Sequence, residues 1–93
     1  MANVRLLVLV SLSDGPKHGY AIQTDIGGFA GVHLGPGTLY GALSSLERDG
    51  LLEALPSDQR RRPYRLTANG RQRLREQLDD LDRISRRAMR EAT

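Results

Sequence analysis

The sequence predicts a mainly α-helical protein with one small β-hairpin and a long C-terminal helix. Three apolar segments of helical length or spacing occupy the first 50 residues, and each is followed by a glycine. Two short alternating segments then flank an arginine-rich loop, and residues 67–92 carry a single apolar stripe. A chain of 93 residues has room for one small domain with a marginal hydrophobic core, so we expect one compact unit.

The first predicted helix begins at its N-cap, Asn3, and runs to about Leu12. Apolar side chains occupy every side of this segment, so the helix has to be buried all round. A buried strand is the alternative because three of the residues are valine, but the length of the run favours a helix. The run is too short to span a bilayer and lacks the basic start and cleavage site of a signal peptide, which predicts a cytoplasmic protein.

The second predicted helix begins near Lys17 or His18. It ends at Gly27-Gly28, because paired glycines beyond the last periodic residue form a C-terminal stop. Ile22 and Ile26 lie four residues apart and define its buried side. A short turn then leads to a third helix.

The third predicted helix has Gly35 as its N-cap, Pro36 at its first position and Gly50 after its last turn. Its buried side is one leucine stripe, formed by Leu39, Leu43 and Leu46. The opposite face consists of small and mostly uncharged residues: Gly37, Gly41, Ser44, Ser45 and Arg48, flanked by Thr38 and Tyr40. A solvated helix face ordinarily carries charged residues, so this flat face favours close approach to another molecule.

Two short strands follow at residues 52–55 and 63–66, joined by a loop with three consecutive arginines. Thr67 caps the final helix, which extends to about Ala92. Its apolar stripe consists of Leu74, Leu78 and Leu81, continued by Ile84 or Ser85 and then Ala88. A helix of this length with one apolar stripe is unstable alone in water, so we expect it to pack against the same helix of a second copy.

The charge distribution indicates a polyanionic partner. Seven arginines and no acidic residue lie between residues 60 and 75 of a chain whose net charge is +3. Such a block is typical of one surface that binds a polyanion; a merely solvated charged face is the alternative. The second and third helices, joined by a short turn, match a helix-turn-helix, whose second helix enters the major groove of DNA.

Four linked segments of the sequence resemble the PadR family of bacterial transcriptional regulators. The matching residues are Leu12, Gly15 and Gly19-Tyr20-Ala21-Ile22; Pro36-Gly37-Thr38-Leu39-Tyr40 with Leu43, Leu46-Glu47 and Gly50-Leu51-Leu52; and Arg61-Arg62-Pro63-Tyr64-Arg65-Leu66-Thr67 with Gly70 and Leu74.

The resemblance implies a winged helix-turn-helix DNA-binding domain at residues 1–66 and a C-terminal dimerisation helix at residues 67–93. It also implies a homodimer built from the first and last helices, which represses a nearby promoter until a small molecule or another signal releases it. Gly41 stands where the family usually has proline, and Gly35 where serine is common. These two departures affect the expected base preference and leave the fold unchanged.

The candidate DNA-binding residues lie at the start of the second helix, on the outer face of the third and in the arginine loop. They are Lys17, His18, Pro36, Gly37, Thr38, Tyr40, Gly41, Ser44, Ser45, Arg48, Arg60, Arg61 and Arg62. The candidate dimer interface consists of Val4, Leu7, Val8, Leu74, Leu78, Leu81, Ile84 and Ala88. The alternatives are a core aromatic for Tyr40, an ordinary first-turn residue for Thr38 and a solvated loop for the arginines. Tyr20 is interpreted as a packing residue, with a phosphate contact as its alternative.

Several classes of function are not expected. The absence of cysteine excludes disulfides and thiolate metal sites, and two histidines alone make a structural zinc site improbable. There is no nucleophile motif or phosphate-binding loop, so we expect neither an enzyme nor a cofactor. The expected partners are double-stranded DNA, a second copy of the chain and a small-molecule effector, with no membrane. The alternative function is a dimerising adaptor that keeps this fold and no longer binds DNA; the arginine loop argues against it.

Overall fold

The computed structural model describes residues 3–57 and 60–92, so Asp58 and Gln59 of the predicted arginine loop lie outside the described residues. The helices are α1 (Val4–Ser11), α2 (Gly19–Ala30), α3 (Pro36–Arg48) and α4 (Ala68–Ala92), with a single 3-10 turn at Leu12–Asp14. The strands are β1 (Lys17–His18), β2 (Leu52–Ala54) and β3 (Pro63–Leu66). They form one antiparallel sheet in the order β1-β3-β2.

Helix α1 begins as predicted, because the Asn3 side chain accepts a hydrogen bond of 3.2 Å from the Leu6 backbone N–H. Its inner side is buried against the other helices, with Val8 and Leu9 almost inaccessible. The expectation of burial all round is wrong for a single copy of the chain. Leu6 and Leu7 on the other side are only half-buried, since no described element covers them completely.

Helix α2 differs from the prediction at both ends. It continues through Gly27-Gly28 to Ala30 and ends at Gly31, whose φ of 66° is left-handed and whose N–H donates to the Gly27 carbonyl at 3.1 Å. Lys17 and His18, predicted to start the helix, form strand β1 instead and pair with β3. A two-residue strand has no periodic pattern, so the sequence predicted a hairpin where the structure has three strands.

Helix α3 confirms the predicted boundaries. Gly35 is the extended N-cap, Pro36 occupies the first turn and Gly50, with φ of 73°, follows the C-cap. The Leu51 N–H donates to the Leu46 carbonyl at 2.9 Å, and the Gly50 N–H donates to the Glu47 carbonyl at 3.0 Å. These two bonds form a Schellman motif, which reverses the chain from α3 into β2.

The hydrophobic core lies between α1, α2, α3 and the sheet. The leucine stripe of α3 is at its centre, because Leu39, Leu43 and Leu46 are each at most 1% exposed. The other core residues are Val8, Leu9, Leu12, Ile22, Ile26, Leu34, Leu51, Leu52, Leu66 and Leu74. Truncating one such leucine to alanine typically costs about 2–5 kcal/mol, so the stripe fixes which face of α3 points outward.

A tight junction connects α3, the sheet and α4. The Thr67 hydroxyl donates to the Gly50 carbonyl at 2.6 Å and accepts from the Gly70 N–H at 3.0 Å, which confirms Thr67 as the cap of the last helix. The Thr67 N–H donates to the Leu51 carbonyl at 3.1 Å. Gly70 lies so close that a Cβ atom there would stand 1.9 Å from the Leu51 carbonyl oxygen.

Helix α4 is 25 residues long, and only Gly70 and Leu74 are buried in it. Its second half extends from the domain, so the molecule measures 53 × 27 × 20 Å along its principal axes. The helix pair α2–α3, the three-stranded sheet and α4 together form a winged helix-turn-helix with a long C-terminal helix, which confirms the predicted fold. Among the described residues, no helix is both long and apolar enough to cross a membrane.

The junction generates the first prediction. Gly70→Ala should lower the free energy of unfolding by about 1–3 kcal/mol, because the added methyl group collides with the Leu51 carbonyl and overpacks the junction. Gly28→Ala is the matched control, since no atom lies within 4 Å of its Cβ position and alanine is the better helix former by about 1 kcal/mol. Urea unfolding measures both. A Gly70→Ala variant as stable as the parent would contradict the close approach.

Candidate nucleic-acid interface

One cleft joins the start of α2, the start of α3 and the loop between β2 and β3. Its volume is about 380 Å³. We call it the tyrosine–arginine cleft, after Tyr20, Tyr40, Tyr64, Arg60, Arg61 and Arg62, which line it together with Gly19, Gln23, Pro36 and Leu39. The fold therefore brings the arginine loop, hereafter the wing, to the same side of the molecule as the first turns of α3.

The outer face of α3 is open and nearly flat. Gly37, Thr38, Gly41, Ser44 and Arg48 are all exposed. A Cβ atom at either glycine would meet no neighbouring atom within 4 Å. Glycine costs about 0.8–1 kcal/mol relative to alanine inside a helix, and nothing within the described chain requires it at these two positions.

Tyr40 stands at the edge of this face, with half of its surface exposed. Its ring lies against the first turn of α2, where a Cβ atom on Gly19 would come within 2.6 Å of the Tyr40 hydroxyl oxygen. The absence of a side chain at Gly19 therefore gives the Tyr40 ring its position. Tyr40 thereby lines the cleft between the two helices and the wing.

The charges of the three wing arginines are not paired within the described residues. Arg60, Arg61 and Arg62 are exposed and form no ion pair with any described residue, whereas Arg65 on β3 pairs with Glu53 at 2.6 Å. The Arg61 guanidinium lies 5.8 Å from the centre of the Tyr20 ring, a cation–π arrangement. Tyr20 is 66% exposed, so its interpretation as a packing residue is wrong: it belongs to the cleft.

Tyr64 occupies the floor of the cleft next to the wing. Partial burial raises the pKa of its phenol above the usual value, and the negative charge of Glu47 raises it further. The hydroxyl is therefore neutral at physiological pH and is available as a hydrogen-bond donor.

Lys17 and His18 lie outside the cleft. The Lys17 ammonium donates to the Ser11 carbonyl and to Asp14, and it stands 3.9 Å from Asp25. The Lys17 side chain is 18% exposed, and its hydrogen bond to Asp14, together with its positive charge, lowers the pKa of that carboxyl group. The His18 Nδ1 atom is buried without a partner among the described residues. The ammonium group of Lys17 is thus bonded within the protein, and DNA contact by Lys17 and His18 stays a prediction.

Ser45 also has an intramolecular partner. It is half-buried and accepts a hydrogen bond from Arg5 of α1, whose guanidinium also pairs with Asp49 at 2.9 Å. The last turns of α3 are thereby tied to α1. The open part of the outer face is the N-terminal half of α3, on the side of the cleft.

The predicted dimer residues fall into two groups. Val8 and Leu74 lie in the core of the single chain, where they are 0% and 7% exposed. Their predicted place in the interface between chains is therefore wrong. The exposed or half-buried group consists of Val4, Leu7, Leu78, Leu81, Ile84 and Ala88. The first helix is apolar on every side and α4 has one apolar stripe, so sequence periodicity alone did not show which of these residues already pack within the chain.

A second concave surface lies between α1 and α4, with a volume of about 240 Å³ and a lining of Asn3, Leu6, Gln77, Asp80 and Leu81. The Gln77 Oε1 atom is buried without a hydrogen-bond partner among the described residues. We call this surface the α1–α4 groove. The sequence analysis missed both Leu6 and Gln77 as interface residues. Leu6 is one of many apolar residues of the first helix, and Gln77 is a polar residue outside the leucine repeat of the last.

Metal binding has no candidate site in the part of the chain that the structure describes. No group of three metal-binding side chains lies together there. The cleft instead combines exposed aromatic rings, guanidinium groups and the N-terminal end of a helix. This combination suits an anionic partner that approaches from solvent.

Sequence comparisons match this chain to one family of transcriptional regulators. The sequence profile of the "Transcriptional regulator PadR-like family" matches residues 8–76. The transcriptional regulator Rv3488 of Mycobacterium tuberculosis is 35% identical over 91 residues, which cover 95% of this chain and 84% of the relative. An uncharacterised 37.1 kDa protein of the Streptomyces fradiae transposon TN4556 is 43% identical over 90 residues; the match covers 97% of this chain and 26% of that protein's length.

Solved structures agree in fold. A PadR family regulator from Clostridium difficile R20291 has a TM-score of 0.84 at 23% identity, covering 91% of this chain and 93% of the other. Bacillus subtilis PadR, solved in complex with operator DNA, has a TM-score of 0.73 at 23% identity, covering 81% of this chain and 46% of the other.

Proposed function

We propose that this chain, which belongs to the PadR-like family of transcriptional regulators, binds operator DNA as a homodimer and represses transcription until an effector releases it. The family is one of transcriptional regulators and not of enzymes.

The observation that carries DNA binding is the convergence of the wing and the start of α3 on one cleft. In helix-turn-helix docking, the N-terminal residues of the second helix meet the base edges in the major groove. Arg60, Arg61 and Arg62 would then reach the flanking phosphates, since they have no acidic partner among the described residues. The complex of Bacillus subtilis PadR with operator DNA supports this docking through the shared fold.

The glycines of α3 support close approach of the helix backbone to the DNA. Gly37 and Gly41 weaken the helix without satisfying any packing requirement within the described chain. A partner that comes within contact distance of the helix backbone accounts for both positions. Thr38 and Tyr40 flank them with hydroxyl groups that can donate to phosphates or base edges.

The α1–α4 groove and the exposed stripe of α4 support a homodimer. Leu78, Leu81, Ile84 and Met89 are 44–65% exposed along one helix, too many large apolar side chains for a helix that stays in water. A second copy supplies the same stripe, and its apolar residues can enter the groove beside Leu6.

Charge along α4 favours an antiparallel arrangement of the two last helices. Four acidic residues lie between residues 76 and 82, and four arginines lie between residues 83 and 90. Antiparallel packing places the acidic half of one helix beside the basic half of the other. Parallel packing would place like charges together, which is unfavourable.

The wing generates a prediction about salt. Replacing Arg60, Arg61 and Arg62 by alanine should weaken binding to all DNA sequences, and each lost phosphate contact should flatten the log–log salt dependence by about 0.9. Fluorescence anisotropy over a range of salt concentrations measures the slope. Arg73→Ala, on the exposed side of α4, is the control and should keep it. An unchanged slope in the triple variant would show that the wing is only solvated.

The outer face of α3 generates a prediction that separates binding from stability. Gly41→Glu should fold and dimerise like the parent because the site is open, yet lose operator binding through bulk and phosphate repulsion. Gly41→Ala should gain up to about 1 kcal/mol in stability and bind only slightly less well. Thermal melts and operator titrations measure both properties. Operator binding by Gly41→Glu at the parent's affinity would show that this face stays outside the groove.

The dimer proposal is tested at Leu78. Leu78→Asp would bury a charge in the interface, so sedimentation should show a monomer or an unfolded chain. Gln72→Asp is the control: it adds the same charge at an exposed position off the apolar stripe and should leave the dimer intact. An intact Leu78→Asp dimer would refute pairing through α4.

A further inference from the structure

We propose that the tyrosine–arginine cleft is also a ligand site, which takes a nucleoside monophosphate: a planar ring held by the tyrosines and a phosphate held by the wing arginines. The inference rests on the proposed function, because it names an effector class and a site at which occupancy would exclude DNA. DNA binding as proposed above does not depend on the cleft binding a free small molecule.

The dimensions of the cleft suit such a ligand. Its volume of about 380 Å³ lies within the range of about 300–1,000 Å³ that is typical of small-molecule sites. The starts of α2 and α3 and the wing form its walls, and Pro36 contributes exposed apolar surface. Such a cleft can contact a mononucleotide from three sides, which a flat DNA-contacting face would not.

The charge of the cleft selects a phosphate. Three guanidinium groups line it, no acidic side chain of the described residues does, and none of the three forms an ion pair with a described residue. Arginine binds phosphate bidentately, and a dianion neutralises more of this charge than a carboxylate does. The neutral Tyr64 hydroxyl adds a donor on the same side.

The aromatic rings of the cleft select a planar group. All three tyrosines of the chain line it, and Tyr20 and Tyr40 leave at least half of their surfaces exposed. Arg61 lies over one face of the Tyr20 ring, so a nucleobase would take that place when the guanidinium turns to the phosphate. The Tyr40 ring packs against Gly19, where a Cβ atom would collide with its hydroxyl group, so this wall is present without a ligand. Stacking on aromatic side chains is how proteins hold nucleobases without sequence preference.

The test uses the full chain, with AMP as the probe. Calorimetry measures its binding, and the NMR signals of the tyrosine rings locate it. With three tyrosines, one phenylalanine and no tryptophan, the ring signals report mainly on this cleft. AMP should bind at least about tenfold more tightly than adenosine or inorganic phosphate, because stacking and phosphate contacts act together. It should shift the Tyr20 and Tyr40 signals and displace operator DNA.

Variants locate the site. Tyr20→Leu and Arg61→Gln should each weaken AMP binding by about tenfold, since each removes one of the two kinds of contact. Both side chains are exposed, so circular dichroism should show folded protein. Arg73→Gln should bind AMP like the parent.

Three outcomes would overturn the inference. The first is that AMP binds no more tightly than inorganic phosphate does, and the second is that it leaves the Tyr20 signals unshifted and binds the two variants as tightly as the parent. The third outcome is that the protein binds AMP and operator DNA at the same time. Operator binding measured without AMP is independent of all three. A chain that binds operator DNA and not AMP would refute only the ligand site, whereas a chain that binds AMP and not DNA would refute the proposed function.

Discussion

Burial of the α3 leucine stripe is the constraint on which the rest of the molecule depends. Leu39, Leu43 and Leu46 lie at the centre of a small core, where each contributes more than any surface contact. Since side chains three and four apart share one face of a helix, burying these leucines turns Gly37 and Gly41 outward. The orientation of the proposed DNA-reading face is thus a consequence of core packing.

The chain reversal after α3 extends this constraint to the wing and to α4. The Schellman motif at Gly50 directs Leu51 back to the core, and the Leu51 carbonyl then accepts from Thr67 at the start of α4. Gly70 allows the approach of the two backbones. One junction therefore sets both the position of β2 and β3, which carry the wing, and the direction in which α4 leaves the domain.

The surface of the single chain has two regions that favour different kinds of partner. Around the tyrosine–arginine cleft, exposed rings and guanidinium groups favour an anionic partner, and the protein gains no evident stability from them. Along α4, exposed leucine, isoleucine and methionine side chains favour an apolar partner. The two surfaces lie on different elements, so pairing through α4 would leave the cleft open to DNA or to a ligand.

The sequence by itself determined the order of the helices, the caps at Asn3, Gly35 and Thr67 and the outward face of α3. These depend on local rules: helical periodicity, hydrogen bonds between neighbours and the conformations open to glycine and proline. The family resemblance added the winged helix, which the structure confirms.

Only the tertiary structure decided which residues meet. Strand β1 is two residues long and forms because β3 pairs with it. Lys17 therefore lies in a strand and not at the predicted helix start, and its ammonium group donates to Asp14. Val8 and Leu74 share periodicity with exposed neighbours and became core because α1 and α4 pack together within one chain. Tyr20 and Tyr64 lie 44 positions apart in sequence and meet at one cleft, because long-range packing, and no local pattern, brings α2 and the wing together.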